Sequence, residues 1–348
     1  MRSLTLRPRI ADDDGVVLVW VAIMIVVLLG FGALVLDLGA LYHERRQLQN
    51  GADAGALAVA QDCAEGDCLD ESATADSFAD KNASDGQSNI DTVCGSGPGL
   101  SACAAPPALP AGVSGWVSVT TSTNNPGNGG NSSQVDYLLA QILTGSSGKT
   151  VHATAVAAWG ALGKATTIPL IFSQCELAEM GGSINPPSPP AEGTQHYIYF
   201  HGSVSVGNCP SGPSGFDDPI SGGFGWLATS GCQATITAGG WVSDKPGNGV
   251  PNGCNPADWQ NKELLIPIYD VTNGLTGSNG SYHVVGFAGF RIIGYRFSGA
   301  TWPNGFQCPD EPGNSGRCIR GEFTRVTALD GEIGGGADLG ARVITMVG

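Results

Sequence analysis

The chain has 348 residues, only 14 % of them charged, and a formal net charge of −15. That length has room for an anchor and one or two further domains, and the acidic balance excludes nucleic acid and anionic headgroups as partners of its bulk. With 53 Gly and 21 Pro the sequence is turn-rich, yet short of a disordered composition, and apolar residues recur often enough to build a core.

The first element in chain order is Val16–Leu36 (VVLVWVAIMIVVLLGFGALVL), which has no charge, no proline and no strongly polar side chain. At about 1.5 Å per residue it makes a helix of roughly 31 Å, the thickness of a bilayer's hydrocarbon core. The apolar run of a secretory signal is shorter, roughly 7–15 residues, and a small-residue cleavage site follows it. Here Asp37-Leu38-Gly39 leads straight into Tyr42-His43-Glu44-Arg45-Arg46. The segment therefore reads as a retained single-pass anchor. Arg2, Arg7 and Arg9 precede it and Arg45 and Arg46 follow it, which tips the positive-inside rule toward a cytoplasmic tail over residues 1–15.

From Asp37 to Cys63 the chain is rich in Ala, Leu, Gln, Glu and Arg, good helix formers. This predicts a helical extension over 37–63, continuing the membrane helix for about 45 residues in all. Small residues from Gly51 to Ala58 would let another helix or sheet approach closely. Residues 64–112 are polar and acidic. Segment 116–123 (WVSVTTST) alternates as a strand, residues 124–133 are a loop, and Gln134–Leu143 reads as a short amphipathic helix ending at Gly145. Thr150–Trp159 alternates again. These pieces predict an α+β membrane-proximal region over 64–164, with the long helix packed on a small antiparallel sheet.

From 165 to 348 the expectation is a β-rich domain, with strands at Thr167–Ser173, His196–His201, Ala234–Val242, Leu264–Val271, His283–Tyr295, Glu322–Leu329 and Ala341–Val347 separated by Pro and Gly clusters. All ten cysteines (Cys63, Cys68, Cys94, Cys103, Cys175, Cys209, Cys232, Cys254, Cys308 and Cys318) follow the apolar run, without a CxxC pair. That pattern fits disulfides in an oxidising compartment better than a zinc site. Cys63/Cys68, Cys94/Cys103 and Cys308/Cys318 are natural neighbours, although sequence alone does not fix the pairing. The fold class expected is thus α+β: a long N-terminal transmembrane helix on a small antiparallel sheet, then a disulfide-braced, β-rich ectodomain outside the membrane.

The block from Asp12 to Gln61 resembles the start of TadE/TadG-like proteins of the tight-adherence (Flp/Tad) pilus system. The residues that carry the resemblance are Asp14-Gly15, the apolar span, Asp37-Leu38-Gly39, Tyr42, Arg45-Arg46, Leu48-Gln49-Asn50 and Ala52-Asp53-Ala54. Further on, TVHATAVAAWG, IPLIFSQCE, the Gly-Trp-Leu…Cys segment at 225–232 and CIRGEFTR at 318–325 resemble the ectodomain of actinobacterial members. The resemblance implies a membrane-anchored accessory of pilus assembly or anchoring, working on pilins or pilus-assembly proteins by contact, and not an enzyme. Pilin precursors are cut after a Gly before the apolar span and carry Glu at the fifth position beyond. Gly15 is the candidate processing site here, but the fifth position is Trp20, which favours an accessory over a bulk filament subunit.

Signals of catalysis or ligand binding are weak. His196 and His201, five apart on a strand, point to opposite faces. Ser146-Ser147-Gly148-Lys149 matches SxxK but sits in a turn with no KTG after it. Gly313-Asn314-Ser315-Gly316 is similar to a protease loop without its Asp or a base. Asp70-Glu71-Ser72-Ala73-Thr74 is the nearest string to a metal-ion-dependent adhesion loop, and Thr replaces its second Ser. Asp217-Asp218 and Asp310-Glu311 beside prolines would be the calcium candidates. Six tryptophans beyond the span read as core rather than as a carbohydrate platform. No cofactor, metal or small-molecule substrate is expected. The alternative function is a tethered surface adhesin or glycan-binding module with no part in assembly, and a cell-wall hydrolase lacks a catalytic constellation.

Overall fold

A computed structural model of the chain describes residues 14–105, 107–124, 133–200, 224–229, 231–247, 249–274, 280–309, 316–328 and 331–347. The first element is a single helix, α1 (Asp14–Glu65), of 52 residues. The apolar run and the helix formers after it thus make one rod, and Gly39, Gly51 and Gly55 do not interrupt it. Gly66, in the left-handed region at φ 92°, ends it. A disulfide between Cys63 and Cys68 closes the turn into α2 (Glu71–Asn82).

The sequence reading left 64–112 without a helix. α2 forms because its alanines fit against the small residues of α1. A Cβ on Gly51 would stand 3.2 Å from the Ala79 backbone, and one on Gly55 would stand 3.2 Å from that of Ala75. Ala52, Ala56, Ala75 and Ala79 are all buried. The small-residue face of α1 is therefore covered by the chain's own second helix. Replacing Gly51 by Leu forces the two backbones apart, and overpacking of this kind costs about 1–3 kcal/mol. Denaturant unfolding of the purified chain is expected to show that loss, and a Gly51→Leu chain as stable as its parent would contradict the close crossing.

Two compact units make up the chain. One comprises residues 1–52, 76–91 and 120–154; the other comprises 53–75, 92–119 and 155–348. α1, α2 and the strands Asn89–Ser96, Val113–Ser122 and His152–Thr167 contribute residues to both. These three strands lie side by side in that order in a sheet that continues through Ala341–Met346 to Val326–Ala328. Ala234–Thr237 pairs with the far end of His152–Thr167. In the first unit the Thr121 hydroxyl donates to the Leu48 carbonyl at 3.0 Å, fastening sheet to helix.

The second unit also holds a larger sheet, in the order Phe224–Trp226, Leu170–Ser173, Glu263–Asn273, Ser281–Phe297, Cys318–Thr324 and Gln195–Tyr199. Its central strands are buried on both faces. Leu170 and Phe172 enter one apolar cluster with Phe224, Trp226, Phe290 and Phe323. Ile171 enters another with Leu162, Tyr269, Tyr282 and Phe287. Near-continuous apolar runs such as Leu170-Ile171-Phe172 are what two-sided burial requires. Gly321 is obligatory here, since a Cβ on it would lie 2.3 Å from the Phe290 ring.

Disulfides join Cys63–Cys68, Cys94–Cys103, Cys232–Cys254 and Cys308–Cys318. Cys175 is disulfide-bonded as well, and Cys209 lies outside the described residues. The fold class is α+β, a long apolar N-terminal helix with a disulfide-braced β-rich remainder.

Several elements differ in extent from the sequence expectation. The helix expected over Gln134–Leu143 is only α3 (Ala140–Thr144), preceded by an extended Val135–Asp136. The strand expected at Ala234–Val242 is two strands, Ala234–Thr237 and Trp241–Ser243, separated at Gly239 with φ 77°. The strand around 283–295 is longer, Ser281–Phe297, and forms a long antiparallel ladder with Glu263–Asn273.

Candidate functional site midway along the long helix

The large apolar side chains of α1 from Val17 to Leu36 are all exposed; Leu18, Val26, Leu28, Phe31 and Val35 are 65–72 % exposed. A continuous apolar surface of this length is not stable in water and marks a lipid or partner contact. Among the described residues α1 is the one helix long and apolar enough to cross a membrane.

Where this run ends, Asp37 is buried. Its carboxylate accepts three backbone N–H donors from a segment a hundred residues away: Leu138 at 2.8 Å, Leu139 at 3.1 Å and Ala140 at 2.6 Å. These are the amides at the start of α3, which have no partner within a helix. Leu139, at the N-cap position, offers no side-chain cap, so Asp37 supplies the cap from another element. α3 closes at Gly145, in the left-handed region, whose N–H donates to the Gln141 carbonyl at 2.9 Å. The return chain is tied by Tyr137 N–H to the Ser147 carbonyl at 2.9 Å.

Asp37→Leu removes both acceptor oxygens and leaves the amides of 138–140 without these three hydrogen bonds. Hydrogen exchange at these amides is expected to rise to the rate of an open loop, while helix α1 keeps its protection. Unchanged protection at 138–140 would contradict the clamp.

Beside the clamp, a groove of about 430 Å³ is lined by Leu41, Tyr42, Arg45, Lys149, Thr150, Val151 and His152. The Arg46 guanidinium lies over the Tyr42 ring, 4.7 Å from its centroid. His152 Nδ1 meets Asp91 at 2.9 Å, and the Ser122 hydroxyl donates to the other Asp91 oxygen at 2.6 Å. This arrangement can position a helix, a headgroup or a neighbouring chain.

The residues singled out from sequence are scattered. Gly15 lies in the first turn of α1. Asp70-Glu71-Ser72-Ala73-Thr74 runs into the first turns of α2, with the Thr74 hydroxyl donating to Asp62 at 3.2 Å. Ser146 donates to the Gly148 carbonyl at 2.9 Å in a turn, and Lys149 stands on a two-residue strand. His201, Asp217, Asp218, Asp310, Glu311, Gly313, Asn314 and Ser315 lie outside the described residues. Among the described residues no three His, Cys, Asp or Glu side chains gather as a metal-binding group. Trp116, Trp159, Trp226 and Trp259 are buried, whereas Trp241 is 46 % exposed beside His283.

His196, on strand Gln195–Tyr199, packs beside the Phe323 ring with centroids 6.0 Å apart. Burial pushes its pKa below the ordinary histidine value. The unfolded chain then binds the proton first, so the contribution of this group is present above about pH 6.5 and is lost as pH falls below it. His196→Phe keeps the ring packing and removes the titration. Its stability is expected to fall less than the parent's between pH 7 and pH 5 in denaturant titrations, and parallel profiles would contradict this.

Residues 15–62 match a family model, Tad, described as "Putative Flp pilus-assembly TadE/G-like". The matched stretch runs along α1 and includes the exposed apolar face, Asp37 and the Gly51/Gly55 crossing. No match was found among curated proteins or among solved structures. Asp37 escaped the sequence reading as a functional residue. Its only signal there was its place in the string Asp37-Leu38-Gly39 that carried the family resemblance.

Proposed function

We propose that this chain, with its TadE/G-like segment over residues 15–62, is a single-pass membrane protein that assists assembly or anchoring of an Flp/Tad-type pilus. The observation that carries the reading is a coincidence: the matched segment is also the helix whose apolar side chains from Val17 to Leu36 are uncovered. In this reading the N-terminus is cytoplasmic and everything after Leu36 is outside the membrane. The described disulfides support an oxidising compartment for that part, and the three arginines before the span against two after it support the orientation. The protein acts by contact on pilins or pilus-assembly proteins, and not as an enzyme, as members of such an assembly system would.

Cross-linking in intact cells followed by purification of the full chain from membranes tests this. Recovery of pilins or pilus-assembly membrane proteins is expected. Their absence from a chain that is itself in the membrane would overturn the reading. The mass of the same preparation decides the role of Gly15. An uncut N-terminus is expected of an accessory, and a new N-terminus at Val16 would make the chain a processed subunit instead.

A further inference from the structure

Beyond Tyr42, eight large apolar side chains are exposed among the described residues, and three of them, Leu138, Leu139 and Ile142, fall within five residues. Ile142 is 78 % exposed and Leu138 is 66 % exposed. They belong to α3 and the residues leading into it, the segment held on Asp37 by three amide bonds of 2.6–3.1 Å. Asp37 is the first polar residue after the span. Twenty residues from Val17 to Leu36 rise about 30 Å, the full hydrocarbon thickness, so Asp37 falls at the edge of the hydrocarbon. Its helix neighbours Leu36 and Leu38 are exposed too. Tyr42, Arg45 and Lys149 line the adjoining groove, and an exposed tyrosine and cations are the side chains that suit the headgroup layer.

We propose that Leu138–Ile142 is a second membrane contact, lying in the interface of the same bilayer that α1 crosses, with Leu138, Leu139 and Ile142 inserted among the acyl chains. The occupant of this surface is lipid because the clamp ties it to the point of α1 where the apolar run ends, at the membrane boundary. Asp37 then has a double task. Its charge ends the span, and its three hydrogen bonds hold the segment at that depth. Without lipid the three side chains would be an exposed apolar cluster; beyond Tyr42, no other exposed large apolar side chains among the described residues fall so close together in sequence. Contact by apolar side chains also suits a protein of net charge −15, which anionic headgroups would repel. The result is a first unit seated on the membrane at two points, with its tilt about α1 restricted.

This inference rests on the anchoring reading, and one experiment separates the two. Full-length chains carrying Ile142→Cys, Phe31→Cys or Lys262→Cys are spin-labelled and reconstituted in phosphatidylcholine vesicles. Collision with oxygen is then compared with collision with a water-soluble nickel chelate. Labels at 31 and at 142 are expected to favour oxygen, with 142 the shallower, and the label at 262 to favour the chelate. A label at 142 that behaves like the one at 262, while 31 favours oxygen, overturns the second contact and leaves the anchor intact. A label at 142 shielded from both reagents means protein covers it, for instance a second copy, and also overturns the proposal. A label at 31 that favours the chelate overturns the anchor itself. Ile142 is exposed, so its replacement does not disturb the fold.

Discussion

Replacing Val26, Val27 and Leu28 together by lysine is expected to release the protein from the membrane. The segment Val17–Leu36 contains fourteen Leu, Ile, Val and Phe residues, each favouring insertion by about 0.3–0.6 kcal/mol, or roughly 4–8 kcal/mol in all. One lysine at the centre of a span opposes insertion by about 2.5–3.5 kcal/mol, so a single Val27→Lys is tolerated. Three oppose it by about 7.5–10.5 kcal/mol while removing three favourable residues, and the balance reverses. Alkaline carbonate extraction of membranes reads the difference. The single variant should stay in the pellet and the triple variant should not. A triple variant that stays bound would show that something other than the apolar face of α1 holds the chain to membranes.

Phe290→Ala is expected to be among the costliest core substitutions. Phe290 is fully buried, edge-on to Phe172 with centroids 5.0 Å apart and to Phe323 at 4.9 Å, and Gly321 has no side chain so that the ring can pass. Removing a buried aromatic ring costs about 3–5 kcal/mol, a large part of the 5–15 kcal/mol that holds a typical domain folded. Trp226 and Trp259 lie in the same cluster, so tryptophan fluorescence in urea reports on it directly. The unfolding midpoint is expected to drop sharply for Phe290→Ala and to move little for Trp241→Ala, whose ring is half-exposed. Equal midpoints for Phe290→Ala and the parent would mean that this cluster does not hold the second unit together.

The parts of this fold that were legible in the sequence are those in which local chemistry and tertiary context agree. α1 is apolar and then rich in strong helix formers, so both halves ask for a helix. The strand Ser281–Phe297 alternates or runs apolar along its length, with β-branched and aromatic residues throughout. α2 was missed because its buried side chains are Ala75 and Ala79. An alanine stripe carries no strong apolar period and becomes a packing face only opposite Gly51 and Gly55. α3 was read too long because its start is set by Asp37, about a hundred residues earlier, and no local capping residue marks it. The same distance hid the candidate site: a carboxylate and three amides meet there only in the folded chain. The close helix crossing at Gly51 shows the converse. Its small residues were legible, and the neighbour they admit is α2.

The uncovered helix α1 is long and apolar enough to cross a membrane, and the family match over residues 15–62 supports the pilus-assembly setting we propose. Counting surface pili by electron microscopy in cells that lack the gene, with and without the full-length chain restored, tests that setting most directly. An assembly role predicts pili lost or sharply reduced in the deletion, with pilin still made, and restored by the full chain. Normal pili in the deletion strain, with only attachment impaired, would contradict it and make the protein a tethered adhesin.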